Sequence, residues 1–336
     1  MEAIAPMEAL LADRLPEGAG WQFEPKWDGF RCIAVRDGKE VALWSKSGKP
    51  LGRYFPDIVK LAMRLKAKRF VLDGELVIVS GGLMSFDALQ LRLHPAASRV
   101  SKLAEASPAS FIAFDCLAIG STMLAGKSLA ERRAALEKLL AGEDDPHLLL
   151  SPVTDDREKA LDWLKRSGGA LDGVIAKRLD DAYRPSERAM VKVKRKRTAD
   201  CVVGGFRYAS NSNQVGSLLL GLYDDAGLLH HVGFTSSLAK ADRVSWTERL
   251  EPLIEAPGFT GDAPGGPSRW STTRSADWQP LLPQIVIEVA YDQVTGGRFR
   301  HGTKLVRERP DKAPSQCRCD QLSPPLTPAQ LRQLTR

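Results

Sequence analysis

Short strand-like runs that alternate with helical ones constrain this fold more than any other feature of the 336-residue chain. In the first two-thirds, the strand-like runs are bounded by Gly or Asp-Gly turns. They are WQFEPKWDG, FRCIAVRDG, EVALWSKSG, RFVLDGELVIV, SFIAFDCLAI and GVIAKR. Between them, FPDIVKLAMRLKA, SLAERRAALEKLLAG and DREKALDWLKRSGG carry apolar residues at helical spacing. This order predicts antiparallel sheets with helices packed outside, an α+β domain.

The pattern changes at MVKVKRKRTAD, where a basic cluster at residues 192 to 197 precedes short strand-like runs with Gly-rich turns. VVGGFRY, SLLLGLYDD, LHHVGFTSS and QIVIEVAYDQV, with one helical segment at residues 238 to 254, predict a small β-barrel of the OB type. The stretch APGFTGDAPGGPSRWSTT indicates a long surface loop within it. Because a chain of 336 residues is long enough for two hydrophobic cores, we predict two domains, at residues 1–198 and 199–325.

Composition narrows the class of partner and the compartment. Forty-eight Lys and Arg against 41 Asp and Glu leave a formal charge of +7, which favours polyanionic partners. The five cysteines form no CxxC pair and no matched His spacing, so neither a disulfide framework nor a zinc site is indicated. The N-terminal stretch contains acids where a secretory leader is basic, and no run approaches a membrane span. We expect a soluble cytoplasmic protein with reduced thiols and no membrane partner.

The segment richest in chemical information is Glu24-Pro25-Lys26-Trp27-Asp28-Gly29-Phe30-Arg31, in which a lysine lies between two strand-like runs. A free lysine amine has a pKa of about 10.4, and burial and nearby cations can lower such a value until the amine becomes a nucleophile. Lys192 and Lys194, later in the chain, are candidates for those cations. By itself the KxDG pattern favours an ordinary surface lysine near a hairpin, because four residues with one wildcard arise easily by chance.

Six further segments follow that lysine in order. They are Ser45-Lys46-Ser47-Gly48, Leu72-Asp73-Gly74-Glu75, Phe111-Ile112-Ala113-Phe114-Asp115, Asp172-Gly173-Val174-Ile175-Ala176-Lys177, Val191-Lys192-Val193-Lys194 and Arg309-Pro310-Asp311-Lys312. Over nearly the whole chain, this set resembles the covalent nucleotidyltransferase superfamily of DNA ligases, RNA ligases and mRNA capping enzymes. DGVIAKR and TKLVRERPDKAPSQC are most similar to the bacterial ATP-dependent DNA ligases of the ligase C subgroup. The resemblance implies an antiparallel-sheet nucleotidyltransferase (adenylation) domain followed by an OB-fold β-barrel domain.

The resemblance also implies a reaction, the ATP-dependent sealing of nicks in duplex DNA. Lys26 would take AMP covalently from ATP and pass it to the 5′-phosphate of the nick, while Lys192 and Lys194 grip the α-phosphate. Phe114 and Ile175 would cover the two faces of the adenine, although a packing role for Phe114 stays open. The other nucleotide-binding residues implied are Glu24 beside the adenine, Arg31 at the ribose or the phosphate, and Glu75 at a ribose hydroxyl.

A divalent metal, Mg²⁺ or Mn²⁺, follows from the same resemblance. Asp28 and Asp172 are the implied carboxylates, because Mg²⁺ takes one or two of these together with waters and substrate phosphates. The wider family usually has Glu in place of Asp172, and the shorter side chain puts direct coordination in question. Lys46 stands where many relatives use Arg for the 5′-phosphate of the nick, and a lysine keeps the charge but loses the bidentate fork.

The resemblance implies two further groups of charged residues, one that contacts the leaving phosphates of ATP and one that contacts DNA. Arg309, Asp311 and Lys312 would close over the β and γ phosphates of ATP, so that this domain moves in for adenylation and out for DNA binding. DNA would be held through its backbone, with steep salt dependence, by Lys46 and several arginines. These arginines are Arg195, Arg197, Arg207, Arg298 and Arg300, and each is also consistent with a solubilising surface charge.

Two alternatives stay open. An RNA ligase or capping-type nucleotidyltransferase shares the lysine motif, and the choice of ATP or GTP, and of nicked DNA or RNA ends, separates these classes. A non-catalytic nucleic-acid-binding protein predicts loss of the nucleophile or its partners, whereas Lys26, Glu75, Lys192 and Lys194 are all present. We expect nicked double-stranded DNA as the main partner, a repair polymerase or primase-polymerase as a candidate protein partner, and a monomer associated with the nucleoid.

Overall fold

The computed structural model describes residues 4–80, 83–166, 171–194, 197–265 and 277–322. The chain divides into two compact units, the first containing Met1–Arg195 and the second Lys196–Pro324. The first strand of the second unit, Arg197–Tyr208, runs across the domain boundary predicted between residues 198 and 199. Within the described parts of the chain, no helix is long and apolar enough to cross a membrane.

The first unit combines strands and helices in the predicted alternation. Its strands are β1 Ala9–Ala12, β2 Trp21–Trp27, β3 Phe30–Asp37, β4 Glu40–Ser45, β5 Arg69–Ser80, β6 Leu83–Met84, β7 Ala109–Ile119, β8 Thr122–Met123, β9 Leu148–Leu150, β10 Leu171–Arg178 and β11 Met190–Val193. Its helices are α1 Pro56–Arg64, α2 Phe86–Arg92, α3 Ala97–Ala106, α4 Leu129–Leu140 and α5 Arg157–Arg166. Helix α4 begins at a capping box, in which Ser128 and Glu131 each accept a hydrogen bond from the other's backbone N–H.

Two sheets organise this unit. One has the strand order β1-β11-β10-β2, and the other has the order β4-β3-β5-β7-β8, with β6 paired to β5 and β9 to β7. Most pairs are antiparallel, as predicted, but β1 runs parallel to β11 and β9 runs parallel to β7. Strand β1 and helices α2 and α3 were not predicted. Strand β1 and helix α2 are too short to show a clear period, and α3 buries only Val100 and Ala104.

Helices cover the outer faces of both sheets, as the sequence predicted. On the second sheet, Ile58 of α1 and Leu136 of α4 belong to one buried cluster with Leu72 of β5. On the first sheet, Trp163 of α5 packs in a cluster with Phe23 of β2. Between the two sheets, a further buried cluster joins Trp27 and Leu171 of the first sheet to Val77 and Ile112 of the second.

The second unit is a curled β-sheet. Its strands are β12 Arg197–Tyr208, β13 Val215–Tyr223, β14 Leu229–Thr235, β15 Gln279–Pro280, β16 Val286–Tyr291, β17 Val294–Thr295, β18 Arg298–Phe299 and β19 Lys304–Glu308. The main sheet has the order β14-β13-β12-β16-β19. Helix α6, Arg243–Leu250, is shorter than the predicted segment and is flanked by 3-10 turns at Lys240–Asp242 and Glu251–Leu253.

Hydrogen bonds join the two edge strands of that sheet. Thr303 N–H donates to Phe234 O at 3.0 Å, and Thr235 Oγ1 donates to Thr303 O at 2.9 Å. This contact links the end of β14 to the start of β19, so the sheet closes into the predicted barrel. Val202, Leu220 and Ile287 are fully buried in its interior. Part of the predicted long loop, residues 266–273, lies outside the described residues.

Candidate active site

Lys26 lies near the end of β2, beside the tight turn Asp28-Gly29 that leads into β3. A Cβ at Gly29 would lie 2.1 Å from Leu76 O, so only glycine allows the turn to approach β5 this closely. Gly29 N–H donates to Glu75 Oε1 at 3.1 Å. The turn is therefore tied to β5, and the lysine lies where the chain passes from one sheet to the other.

Asp172 holds the amine of Lys26. Lys26 Nζ donates to Asp172 Oδ2 at 2.6 Å, and Lys194 Nζ lies 3.1 Å from the same oxygen. The two lysines together lower the pKa of Asp172, against the opposing effect of its burial. Gly173 follows in a left-handed conformation, φ +142°, and a Cβ there would meet Val193 O at 2.0 Å. This glycine lets β10 approach β11 closely, next to the carboxylate that the two lysines share.

A cavity of about 620 Å³ opens beside Lys26, within the volume range of small-molecule sites. Both sheets contribute residues to its wall. The predicted site residues that line it are Glu24, Lys26, Ile175 and Lys192 from the first sheet, Arg31, Glu75 and Phe114 from the second, and Lys46 after β4. Residues from six of the predicted motifs thus meet at one cavity, and the Asp172 carboxylate contacts Lys26 at its wall.

Arg31 is held by a buried network on the second sheet. Its Nε and Nη2 donate to the two carboxylate oxygens of Asp73, each at 2.5 Å, and its Nη2 also donates to Met7 O at 3.4 Å. Tyr183 donates to Asp73 Oδ2 at 2.6 Å. The guanidinium lies 4.6 Å from the centre of the Phe114 ring. Arg31 is therefore fixed in orientation against the ring that we predicted to stack on adenine.

Glu75 lies directly opposite Arg31 in the β3–β5 strand pairing, and its carboxyl group is a weaker acid than an ordinary glutamate. Burial raises its pKa to about 7, and Arg31 and Lys26 only partly oppose that effect. Near neutral pH this side chain is thus present both as the acid and as the carboxylate. It can accept a hydrogen bond from a ribose hydroxyl in either form.

Glu24 has a partner that the sequence reasoning missed. Lys177 Nζ lies 2.8 Å from Glu24 Oε1 and 2.9 Å from Oε2, and Gln22 Nε2 donates to Oε1 at 2.8 Å. Lys177 also lies 4.9 Å from the centre of the Phe114 ring. Lys177 and Asp73 both stand inside motifs already identified, and only their burial marks them as site residues, whereas Tyr183 carried no motif signal.

Two more lysines border the cavity. The pKa of Lys192 is lowered, first by partial burial and then by the neighbouring charges of Lys26, Lys194 and Lys46. Lys46 Nζ lies 3.2 Å from Glu8 Oε2, a pairing partner that the sequence did not suggest. The cavity therefore has a strongly cationic side, as a triphosphate site requires.

The predicted residues of the second unit lie in two places. Arg309 donates to Asp311 and to Asp200, and Lys312 Nζ donates to Asp200 Oδ2 at 2.8 Å. The exposed Arg298 lies with its Nη2 2.8 Å from His231 Nδ1. Among the remaining predicted DNA contacts, Arg197 is buried in β12, Arg207 and Arg300 are half-buried, and Arg195 lies outside the described residues.

A lysine amine at a cavity that carries cations on one side and an aromatic ring on another is the arrangement of a covalent nucleotidyltransferase. Comparisons with known proteins identify the family within that class. Residues 7–194 match the family model "ATP dependent DNA ligase domain", and residues 211–312 match "ATP dependent DNA ligase C terminal region".

Curated DNA ligases match this chain along nearly its whole length. The chain is 45% identical to DNA ligase C1 of Mycolicibacterium smegmatis over 334 residues, which are 96% of this chain and 94% of that protein. It is 41% identical to DNA ligase C of Mycobacterium tuberculosis over 344 residues, covering 97% and 96%. The chain belongs to the ATP-dependent DNA ligase family, and its relatives place it in the ligase C subgroup, as its motifs predicted.

Solved structures support the fold. A mycobacterial DNA ligase D complexed with ATP and MES is 29% identical and matches with a TM-score of 0.50, covering 94% of this chain and 97% of that one. A structure of a Lig E DNA ligase, described as binding DNA with a minimal scaffold, matches with a TM-score of 0.54 at 17% identity, covering 91% and 100%. The predicted architecture, an adenylation domain followed by an OB-fold domain, is thereby confirmed.

Proposed function

We propose that this enzyme seals nicks in duplex DNA during DNA repair, and that AMP is carried covalently on Lys26. The observation that carries the proposal is the position of Lys26 Nζ, at the wall of the 620 Å³ cavity and 2.6 Å from Asp172. The reaction then consists of three transfers at one site. AMP passes from ATP to the lysine, from the lysine to the 5′-phosphate of the nick, and away from that phosphate when the 3′-hydroxyl attacks.

In the first transfer, Lys26 Nζ forms a bond to the α-phosphorus of ATP, and the bond from that phosphorus to the leaving pyrophosphate breaks. The amine loses a proton in this step, and Asp172 is the described carboxylate in contact with it. Lys192 and Lys194 then lie where they can neutralise charge that develops on the α-phosphate. Catalysis of this kind depends on in-line placement and cations more than on covalent chemistry by the protein.

Nucleotide binding uses both sheets in this proposal. Phe114 and Ile175 line the cavity from opposite sheets and hold the adenine between them. Glu24, fixed by Lys177, borders the base, while Glu75 accepts a hydrogen bond from a ribose hydroxyl. Arg31, fixed by Asp73, faces the sugar and the phosphates.

A divalent metal, Mg²⁺ or Mn²⁺, fits this donor set when most of its ligands are phosphate oxygens and waters. Among the described residues, no three His, Cys, Asp or Glu side chains cluster as a metal site built from protein alone. Asp28 and Asp172 are the carboxylates that would hold the ion beside the triphosphate. Bound there, it supplies positive charge to the leaving pyrophosphate.

We also propose separate roles for the two domains. Residues 1–198 act as the adenylation domain and residues 199–325 as the OB domain, and Arg309, Asp311 and Lys312 orient the pyrophosphate during adenylation. The nicked duplex is then held by Lys46, Arg195, Arg298 and Arg300, whereas Arg197, predicted as a further DNA contact, is buried in β12 and is left out of this set. We propose that the enzyme acts as a monomer on chromosomal DNA and receives its nicks from a repair polymerase or primase-polymerase.

The test is a denaturing gel after incubation with α-labelled ATP or GTP and Mg²⁺ or Mn²⁺. The wild type is expected to carry label from ATP, and Lys26→Ala is expected to carry none. Lys39→Ala, at an exposed hairpin lysine, is the matched control and should label normally. Label that survives Lys26→Ala would rule out the covalent mechanism, whereas label from GTP with sealing of RNA ends alone would point to the capping or RNA-ligase alternative.

A further inference from the structure

Asp200 of β12 accepts hydrogen bonds from Arg309 and Lys312, the two cations that we propose to orient the pyrophosphate. Arg309 Nη1 donates to both carboxylate oxygens of Asp200, each at 3.0 Å, and Lys312 Nζ donates to Oδ2 at 2.8 Å. The side chains of Asp200, Arg309 and Lys312 are only 15%, 20% and 23% exposed. The contacts are therefore partly shielded from solvent, and stronger than those of an ordinary surface pair.

The backbone of Asp200 is held firmly by the barrel. Asp200 N–H donates to Gln321 Oε1 at 2.9 Å, and Gln321 Nε2 donates back to Asp200 O at 3.0 Å. The residue is also part of the β12–β16 ladder, opposite Glu288. Arg309 and Lys312, in contrast, lie in the loop that follows β19. The anchor is thus on a rigid strand, while the cations are on a loop.

Two like charges that must act together need a group to offset their repulsion. Asp200 Oδ2 accepts from both cations, so their charged heads converge on one atom. The other edge of the Arg309 guanidinium donates to Asp311, from Nε to Oδ1 and from Nη2 to Oδ2, at 2.9 Å each. Among the described residues Lys312 Nζ has this one acceptor, which leaves two of its N–H groups for a phosphate.

We propose that Asp200 is a positioning residue for adenylation, which holds Arg309 and Lys312 side by side as a preformed anion clamp. The inference rests on the proposed function, in which these two cations orient the pyrophosphate. Preorganised cations stabilise transferring phosphates without the cost of arranging them during the reaction. Asp200 makes no contact with the substrate in this role and acts only through the two cations.

The proposal separates the steps of the reaction. The clamp acts on pyrophosphate, which is present only when Lys26 is adenylated or when lysyl-AMP is reversed. Sealing of a nick whose 5′-phosphate already carries AMP involves no pyrophosphate. A fault in the clamp should therefore slow adenylation and its reversal and spare the final sealing step, whereas a folding fault should slow both.

The experiment compares the full-length wild type with Asp200→Asn, Asp200→Glu and Glu288→Gln. Glu288→Gln is the matched control. Glu288 lies opposite Asp200 on the neighbouring strand, but its carboxylate pairs with Arg307 and not with Arg309 or Lys312. Single-turnover adenylation of Lys26, its reversal by added pyrophosphate, and sealing of a pre-adenylated nick are measured for each.

In Asp200→Asn, adenylation and pyrophosphate reversal should fall by about tenfold or more, the usual scale for losing a charge-assisted hydrogen bond. Pre-adenylated sealing should stay within about twofold, a difference too small to represent a lost hydrogen bond. Asp200→Glu keeps the charge and should recover part of the lost rate, while Glu288→Gln should match the wild type. Unchanged or faster adenylation in Asp200→Asn, or equal losses in both steps, would overturn the proposal. A wild type that seals pre-adenylated nicks but takes no label from ATP would contradict the proposed function instead.

Discussion

Lys26 Nζ donates a hydrogen bond to Asp172 Oδ2 over 2.6 Å, although the two residues are 146 positions apart. Lys194 approaches the same oxygen to 3.1 Å. One buried carboxylate thus offsets two lysines and fixes the direction of the proposed nucleophile. This arrangement gives Asp172 a role in placing the amine, independent of any metal that it holds.

Replacement of Asp172 by Asn should impair adenylation strongly. The amide has nearly the same shape but cannot offset both lysines, so Lys26 and Lys194 repel each other and the amine loses its fixed direction. We expect the rate to fall by roughly ten- to a hundredfold, corresponding to about 1–3 kcal/mol. Single-turnover labelling with α-labelled ATP measures it, with Asp180→Asn at an exposed surface acid as the control. A rate within twofold of the wild type, about the control's expected value, would refute a positioning role.

Glu75 should make the stability of the protein fall as the pH rises from about 4.5 towards 7. Burial raises its pKa to about 7 in the folded state, so the folded protein binds more protons than the unfolded chain within this window. The stabilisation is present below the unfolded pKa and is lost as pH passes the folded value. Urea unfolding at several pH values should show this slope in the wild type and not in Glu75→Gln. Glu105→Gln, at an exposed position, should keep it.

His231 should have the opposite effect in the second unit. Burial first, and then the charges of Arg298 and Arg207, lower its pKa to about 3. The unfolded chain therefore binds the extra proton below about pH 6.5, and stability is lost as the pH falls from there towards 3. His231→Gln keeps an acceptor for Arg298 and should flatten the acid limb of a urea-unfolding series.

The neighbouring His230 provides the control for that series. Its pKa is raised, chiefly by its hydrogen bond to Asp224, with Asp262 adding to the effect. Its contribution is therefore present at low pH and lost as the pH rises through its folded pKa. His230→Gln should leave the acid limb unchanged, and an acid limb that is equally steep in His231→Gln would show that this histidine does not cause it.

Arg298 should contribute one phosphate contact to DNA binding. Its side chain is exposed, and His231 Nδ1 accepts from it at 2.8 Å, which fixes its direction. In Arg298→Ala, the slope of log affinity against log salt should shrink by roughly 0.9, the value for one phosphate on duplex DNA. Fluorescence anisotropy with a nicked duplex at several salt concentrations measures the slope. Arg178→Ala, at a surface arginine paired with Asp180, should leave it unchanged.

Periodicity and turn residues were enough to predict both architectures. The strand-like runs flanking Gly29 and the helical segments that became α1 and α5 carry local signals of apolar spacing, and α4 begins at a capping box. Such signals depend on neighbouring residues only and survive without tertiary context. The short β1 and α2 carry no such signal, and α3 buries only Val100 and Ala104, so these elements depend more on what packs against them.

The sequence by itself determined the family and the order of the motifs around Lys26, because both are properties of residue types and spacing along the chain. Only the tertiary structure decided which charges meet. Asp172 pairs with Lys26, Glu24 with Lys177, and Arg31 with Asp73. Asp200 joins Arg309 to Lys312 across more than a hundred positions. These partners depend on strand register and on which faces two sheets bury, and a linear pattern of charges leaves both open.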